Sequence, residues 1–278
     1  MNIALPEYDE SAYGGGWSFI YNFRKALSHH ITPYEEAEVF FIPSASMVSR
    51  EAVQKARDDG KKIVLRCDNI IRNSRNRNSG MTRMKDFADW SDVVIFQSQF
   101  AKDLLDPYLQ TKNSKIILNS CDQDVFKPLA QRQPGGPKRY LYVRSSTDET
   151  KNWEMARVAF QNVEGPKILT IVGKGFDGLM EYNYDFYQDE IVKFIGEVKD
   201  RGTMATIYQN NEYLLYSYFN DACSNTAIEA LNCGLTIANC YGMAETGGTP
   251  EILDKFREFG YKWFSLDRMG AEYMEAMK

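Results

Sequence analysis

Apolar residues along this chain recur in two alternating rhythms. Short continuous runs at Asn2–Leu5, Val39–Ile42, Lys62–Arg66, Val93–Gln97 and Lys115–Leu118 read as buried strands. Between them the spacing becomes helical. Trp17, Ile20, Phe23 and Leu27 recur every three or four residues across Trp17–Ser28. Met47–Asp59 reads as a second helix stopped by Gly60, and Phe100–Leu109 as a third, interrupted by Pro107. The same alternation returns later. Strands are expected at Tyr140–Val143, Ile168–Val172, Val192–Ile195, Leu214–Tyr218 and Leu235–Asn239, with helices at Trp153–Gln161, Thr203–Tyr208 and Thr226–Asn232. Strands alternating with helices imply parallel sheets with right-handed crossovers.

Between the two halves lies Lys127–Arg139, with three prolines, two glycines and Leu129 as its one bulky apolar residue. That composition marks a linker. The pattern predicts two Rossmann-like, doubly wound α/β domains facing across a cleft: 1–130, 131–262, and a C-terminal helix at 263–278 crossing back to the first domain. In such sheets ligands bind beyond the carboxyl ends of the strands. A length of 278 residues agrees with two domains.

Composition narrows the chemistry. Net charge is −5, too acidic for the overall field to hold nucleic acid, so no nucleic-acid partner is expected. No apolar run approaches the ~20 residues of a membrane span, and MNIALPEYDE has no features of a signal peptide. A soluble, cytoplasmic chain is expected, with room for a homodimer. The five cysteines, Cys67, Cys121, Cys223, Cys233 and Cys240, form no CxxC pair and read as buried thiols. Only His29 and His30 are histidines, which leaves little raw material for a His-based triad or metal centre.

Several groups sit where ligands are expected. Gly14, Gly15 and Gly16 follow the first strand, either to admit a phosphate or sugar to a helix N-terminus or as a flexible loop. Arg144 ends a strand and Lys151 follows seven residues on, either a diphosphate clamp or two solvated cations. Asp221 and Glu229 flank Ser224, Asn225 and Thr226, whose backbone N–H groups would open a helix. Thr226-x-x-Glu229 also fits a capping box, and Asp221 a turn former. Arg66 and Asp68 begin a cation-rich stretch that includes Arg72, Arg75, Arg77, Arg83 and Lys85. Gly173–Gly178 spells GxGxxG after a strand, a dinucleotide fingerprint by letter, but the strand is not the first of its domain. Asp122-Gln123-Asp124 spells DxD and reads as a turn.

Taken in order, these pieces resemble glycosyltransferase family 4, the retaining nucleotide-sugar transferases of the GT-B fold. The segments are VVIFQSQFAKDLL, IILNSCDQDVFKP, YLYVRSSTDETKNW, TIVGKG, KFIGEV and DACSNTAIEALNCGL. Small size and the RCDN segment are similar to compact virus-encoded members. The resemblance implies that Arg144, Lys151 and Asp221 carry catalysis, with the two cations on the donor diphosphate and Asp221 on the transferred sugar. Glu229 would bind the ribose hydroxyls. Gly15, Gly16, Gly173, Val198, Asp200, Ser224, Asn225 and Thr226 would complete the donor site, and Arg66, Asp68 and Ser98 would meet the sugar or acceptor. Asp221 stands where the family has Glu, one methylene longer. The implied reaction is front-face transfer of a hexose to a glycan or glycoprotein hydroxyl, with no cofactor and no metal required. GDP-mannose is favoured over UDP-glucose, because Asp200 is placed to accept guanine N1–H and N2–H together; its other reading is a helix cap. The alternatives are an NAD(P)-dependent oxidoreductase built on Gly173–Gly178 and a noncatalytic sugar-nucleotide binding protein.

Overall fold

The computed structural model describes residues 1–6, 15–68, 78–130, 135–176 and 191–278. Gly14, Arg72, Arg75, Arg77, Asp177 and Gly178 lie outside them. The chain divides into two compact units, Met1–Ser120 with Phe264–Lys278, and Cys121–Trp263.

In the first unit, β1 (Ile3–Ala4), β2 (Val39–Ile42), β3 (Lys62–Cys67), β4 (Val93–Phe96) and β5 (Ser114–Ile116) form a parallel sheet in sequential order. Both faces are buried, so the strands read as unbroken apolar runs. On one face, Phe40, Ile42, Leu65 and Phe96 pack with α2 (Arg50–Asp58), α3 (Asn78–Trp90) and α4 (Gln99–Leu109). On the other, Phe41, Val64 and Ile95 pack with α1 (Gly15–Ala26) and a helix from the other end of the chain, Leu266–Ala276. Tyr273 of that helix sits 5.1 Å from Phe23, 5.6 Å from Phe41 and 5.7 Å from Phe19, centroid to centroid. Arg268 ties the same helix to the carbonyls of Leu118 and Asn119 at 3.1 Å each.

In the second unit the strands are β6 (Lys138–Val143), β7 (Lys167–Val172), β8 (Val192–Gly196), β9 (Tyr213–Tyr216) and β10 (Thr236–Asn239). Their order, β10-β9-β6-β7-β8, is all parallel and places the first strand at the centre. The chain therefore reverses direction across the sheet at β6 and β9, the switch point where such sheets bind ligands. The helices are α5 (Trp153–Gln161), α6 (Arg201–Gln209), α7 (Asn225–Asn232) and α8 (Thr249–Phe259), and the helix of the first unit at Leu266–Ala276 is α9.

The boundary between units falls ten residues before the one composition suggested. Residues after Ser120 belong to the second unit because Gln123 bonds Asn232 and the Tyr261 carbonyl, and Phe126 packs edge-on to Tyr208. Asp122-Gln123-Asp124 is a turn: Asp122 Oδ1 accepts from the Asp124 amide, and its carbonyl from Phe126. Pro107 does not interrupt α4, because it lies two residues from the helix end, where one lost amide bond breaks little. All five cysteines are buried, none in a disulfide. Among the described residues no helix is long and apolar enough to cross a membrane, and no group of His, Cys, Asp and Glu could hold a metal ion.

Candidate functional site

Chemistry-bearing residues of the second unit gather at the carboxyl ends of its central strands. Arg144 follows β6, and its amide donates to the Val172 carbonyl. Loop 145–148 then lies against the loop after β7, where Ser145 Oγ donates to the Lys174 carbonyl at 3.1 Å and Ser146 Oγ to that of Gly175. A Cβ on Gly173 would lie 2.0 Å from the Arg144 carbonyl oxygen, and one on Gly175 2.7 Å from Ser146 Oγ. The glycines of GKG thus serve loop packing that fixes the Arg144 backbone, on the second strand of the unit. That packing accounts for two glycines of the letter match, and the third, Gly178, lies outside the described residues.

Asp148 caps the 3-10 turn Glu149–Lys151, and Asn152, in the left-handed region at φ 47°, caps α5 through the Met155 amide. That reversal turns Lys151 inward. Its carbonyl accepts from Ser217 Oγ at 2.6 Å, and its ammonium forms an ion pair with Asp221. Lys151 Nζ also sits 4.6 Å from the Tyr218 ring centroid, and Arg144 Cζ 5.8 Å from it. Tyr218 is fully buried and donates its hydroxyl to the Val143 carbonyl at 2.6 Å. One fixed ring therefore underlies both cations, whose charge its π face attracts. Arg144 is half-buried, and its side chain makes no hydrogen bond or ion pair among the described residues. Burial would lower its pKa, but Tyr218 and the carboxylates of Asp221 and Glu229 outweigh that and hold the guanidinium charged.

Asp221 is held through its backbone. The Gly248 amide donates to its carbonyl at 2.8 Å, and a Cβ on Gly247, at φ +66°, would come within 2.5 Å of the same oxygen. Only glycine fits there. Helix α7 starts after Ser224, whose Oγ accepts from the Ala227 amide. The cap is two residues earlier than a Thr226 capping box requires, so Glu229 lies beyond the first turn and caps nothing. Its Oε2 instead accepts from Tyr208 at 3.2 Å. Burial pushes the Glu229 pKa up, opposed by Arg201, Arg144 and the Tyr208 bond. Burial likewise raises Tyr208 far above the usual phenol range, so it remains a donor. Arg144, Lys151, Asp221, Ser224, Thr226 and Glu229 thus share one region, and this arrangement suits a dianion beside a polyhydroxylated group.

Asp200 is exposed and caps α6: Oδ2 accepts from the Thr203 amide at 2.6 Å. Hydrogen bonds from Thr203 hold its carboxyl below the usual range. The carboxylate expected for bidentate base recognition therefore already has structural partners. Val198, half-buried, precedes it.

In the first unit, Gly15 and Gly16 open α1, and a Cβ on Gly16 would lie 3.3 Å from Met47 and 3.9 Å from Asp68 Oδ2. Asp68 is half-buried beside that helix start. Two expected sugar contacts are corrected. Arg66 is 2% exposed, donates to the Pro43 carbonyl at 3.1 Å and to Asn119 Oδ1 at 3.0 Å, and stacks 3.7 Å over Phe19. Ser98 is fully buried and caps α4 through the Ala101 amide. Arg66 follows the strand pattern inward, Ser98 opens a helix, and both serve the fold. A hollow of ≈ 310 Å³ beyond β2, lined by Ser46, Met47, Arg50, Glu51 and Arg83 among others, went unsignalled in the sequence except through Arg83 in the cation-rich stretch. Tyr208 and Tyr218 also went unsignalled, since strand and helix periodicity marks them only as core. The Gly247-Gly248 doublet was the one visible trace of the Asp221 support.

No protein-family model matches the chain, and no curated protein matches it. Solved structures do. Sucrose-phosphate synthase from Thermosynechococcus elongatus superposes with a TM-score of 0.68 at 15% identity, covering 99% of this chain and 94% of that one. HepE of Anabaena, solved with UDP-glucose, gives 0.65 at 12% identity over 100% and 96%. AviGT4, a glycosyltransferase involved in avilamycin A biosynthesis, gives 0.65 at 12% over 99% and 96%. The chain has the two-domain parallel-sheet architecture of these proteins, the GT-B fold.

Proposed function

We propose that this protein is a glycosyltransferase, moving a sugar from a nucleoside-diphosphate sugar to a hydroxyl acceptor. The observation that carries the reading is the cluster of Arg144 and Lys151 on Tyr218, Asp221 paired with Lys151, and Glu229 on Tyr208, at the switch point of the second unit. The solved structures of similar fold support it, since HepE carries UDP-glucose and sucrose-phosphate synthase is named for sugar transfer.

Arg144 and Lys151 take the charge of the leaving diphosphate, so that protein cations supply what a divalent metal would otherwise bring. Glu229, relieved of any capping duty, accepts two vicinal ribose hydroxyls. Ser224, Asn225 and Thr226 present backbone N–H groups to a phosphate oxygen, and Gly173 keeps the Arg144 loop in place. Asp221 meets the transferred hexose. In the first unit, Gly15, Gly16 and Asp68 address sugar hydroxyls of donor or acceptor. The transfer proceeds with retention, as in glycosyltransferase family 4. The bond from anomeric carbon to diphosphate oxygen breaks, a bond to the acceptor oxygen forms on the same face, and the acceptor proton passes to the leaving oxygen. The acceptor is a glycan or glycoprotein, and the enzyme works in the reducing cytoplasm, which suits five buried thiols. GDP-mannose precedes UDP-glucose as donor only if Asp200 offers its carboxylate to the base in addition to the cap.

The Lys151–Asp221 ion pair gives a second reading, a sugar-nucleotide binder without turnover, because one cation is already compensated. A donor-hydrolysis and transfer assay with GDP-mannose and UDP-glucose decides between them. Turnover that falls about 10²–10³-fold in Arg144→Ala, with the fold intact, supports the transferase. Tight nucleotide binding with no turnover on either donor supports the binder, and an undiminished rate in Arg144→Ala refutes the clamp.

A further inference from the structure

The Lys151 ammonium and the Asp221 carboxylate form their ion pair with side chains only 8% and 16% exposed. Both backbones are fixed. Lys151 is held by the left-handed Asn152 turn and by the Ser217 hydroxyl on its carbonyl. Asp221 is held by Gly247 and Gly248, by the left-handed Asn220 at φ 48°, and by the Phe219 amide on the Thr150 carbonyl at 2.9 Å. These backbone ties hold the two side chains within reach of each other. An aspartate side chain is also too short to swing aside as a glutamate would. The Arg144 guanidinium feels the Asp221 and Glu229 charges but makes no ion pair with either among the described residues.

We infer that Asp221 is a built-in competitor of the donor diphosphate: it occupies Lys151 in the unliganded protein, and an incoming diphosphate takes the ammonium from it. This inference rests on the donor-site reading above and deepens it. A diphosphate first meets Arg144, then exchanges with the Asp221 carboxylate at Lys151, and the released carboxylate becomes available to hydroxyls of the transferred sugar. The pair then has two states, one for each partner of the ammonium. A ligand that carries the diphosphate but no sugar displaces Asp221 and gives it nothing in return. A full nucleotide sugar gives it hydroxyl donors, so discrimination between product nucleotide and donor is written into one carboxylate. Weak retention of the product after transfer follows from the same exchange.

The test uses calorimetry on the whole protein with UDP, GDP and inorganic pyrophosphate, none of which carries a sugar. Asp221→Asn removes the competing charge, and the nucleoside diphosphate that binds wild type better should bind about tenfold tighter, the scale for loss of one like charge within ~4–6 Å. Pyrophosphate should gain similarly. The corresponding nucleotide sugar should gain less or lose, and transfer should slow. In a Lys151→Met background the Asp221→Asn gain should shrink to the relief of direct repulsion between carboxylate and diphosphate, since there is no ammonium to release. If Asp221→Asn fails to fold, Asp221→Ser carries the same comparison. Equal or weaker binding of the bare diphosphate in these variants overturns the inference, as does a gain in Lys151→Met as large as the one with Lys151 present. Wild-type protein that binds none of the three probes overturns the donor-site reading itself.

Discussion

Substituting Glu229 by Gln separates a ligand role from a structural one at a half-buried carboxylate of the site. The side chain keeps its size and one carbonyl acceptor for the Tyr208 hydroxyl, 3.2 Å away in the wild type. It loses the charge and the second acceptor. A carboxylate bound to two vicinal ribose hydroxyls makes two charge-assisted hydrogen bonds, each worth about 1.5–3 kcal/mol, and the amide retains one of them. Nucleotide affinity should therefore fall roughly 10- to 100-fold. Stability should move the other way. Burial raises the Glu229 pKa above its ordinary 4.5, so the folded state binds the proton more tightly than the unfolded chain. Wild-type stability from this group is then fully present below about pH 4.5 and is lost as pH rises through the raised value. Glu229→Gln lacks that loss. Urea unfolding should show the variant equal to wild type near pH 4 and equal or more stable near pH 7, while calorimetry shows weaker UDP or GDP binding. Unchanged nucleotide affinity with a lower melting temperature would refute the ribose assignment.

Arg66→Met should stay within about 2 kcal/mol of wild type in urea unfolding, because relief of a buried cation offsets two orphaned acceptors, whereas Arg66→Ala should lose about 3–5 kcal/mol; a raised acceptor KM at unchanged stability would return Arg66 to the substrate. Gly173→Ala should cost about 3 kcal/mol and weaken nucleotide binding, since its Cβ would force the Arg144 carbonyl aside, and Gly165→Ala, with open space at φ +80°, is the control for backbone strain alone. Asp200→Ala should lower the melting temperature by uncapping α6; competition between GDP and UDP should be unchanged if the carboxylate only caps, and a lost GDP preference would restore the guanine contact.

Strand positions were legible because a parallel sheet buried on both faces leaves unbroken apolar runs, and Val39–Ile42 and Trp153–Gln161 fall where the pattern puts them. Two helices were not. α3 carries its core residues, Met84, Phe87 and Ala88, directly after the Asn- and Arg-rich stretch 69–78, whose polar residues masked the period. α8 begins at Thr249-Pro250, directly after the Gly247-Gly248 doublet, and reads locally as a turn. At the site, the order of Arg144, Lys151, Asp221 and Glu229 was legible, but their partners were not. An ion pair across 70 residues and a capping Ser224 in place of Thr226 are decided by where loops close, which no local pattern encodes. Arg66 misled because a cation at a strand end normally seeks water; here Phe19, Pro43 and Asn119 take it inside.

The aromatic seam of Tyr273 with Phe19, Phe23 and Phe41 has a consequence for how the protein is made. The first unit is closed by residues that leave the ribosome only after all of Cys121–Trp263 has been synthesised. During that interval one face of its sheet is covered by α1 without its partner helix, and three phenylalanines await Tyr273. The second unit, by contrast, is a single uninterrupted stretch that contains Arg144, Lys151, Asp221 and Glu229 together. It is the half that can fold first in the order of translation, and the half that can be cut out or transplanted as one gene fragment. A chaperone that shelters nascent apolar surface has its work on the other half, and a separately supplied Phe264–Lys278 peptide is the natural rescue for a truncated chain.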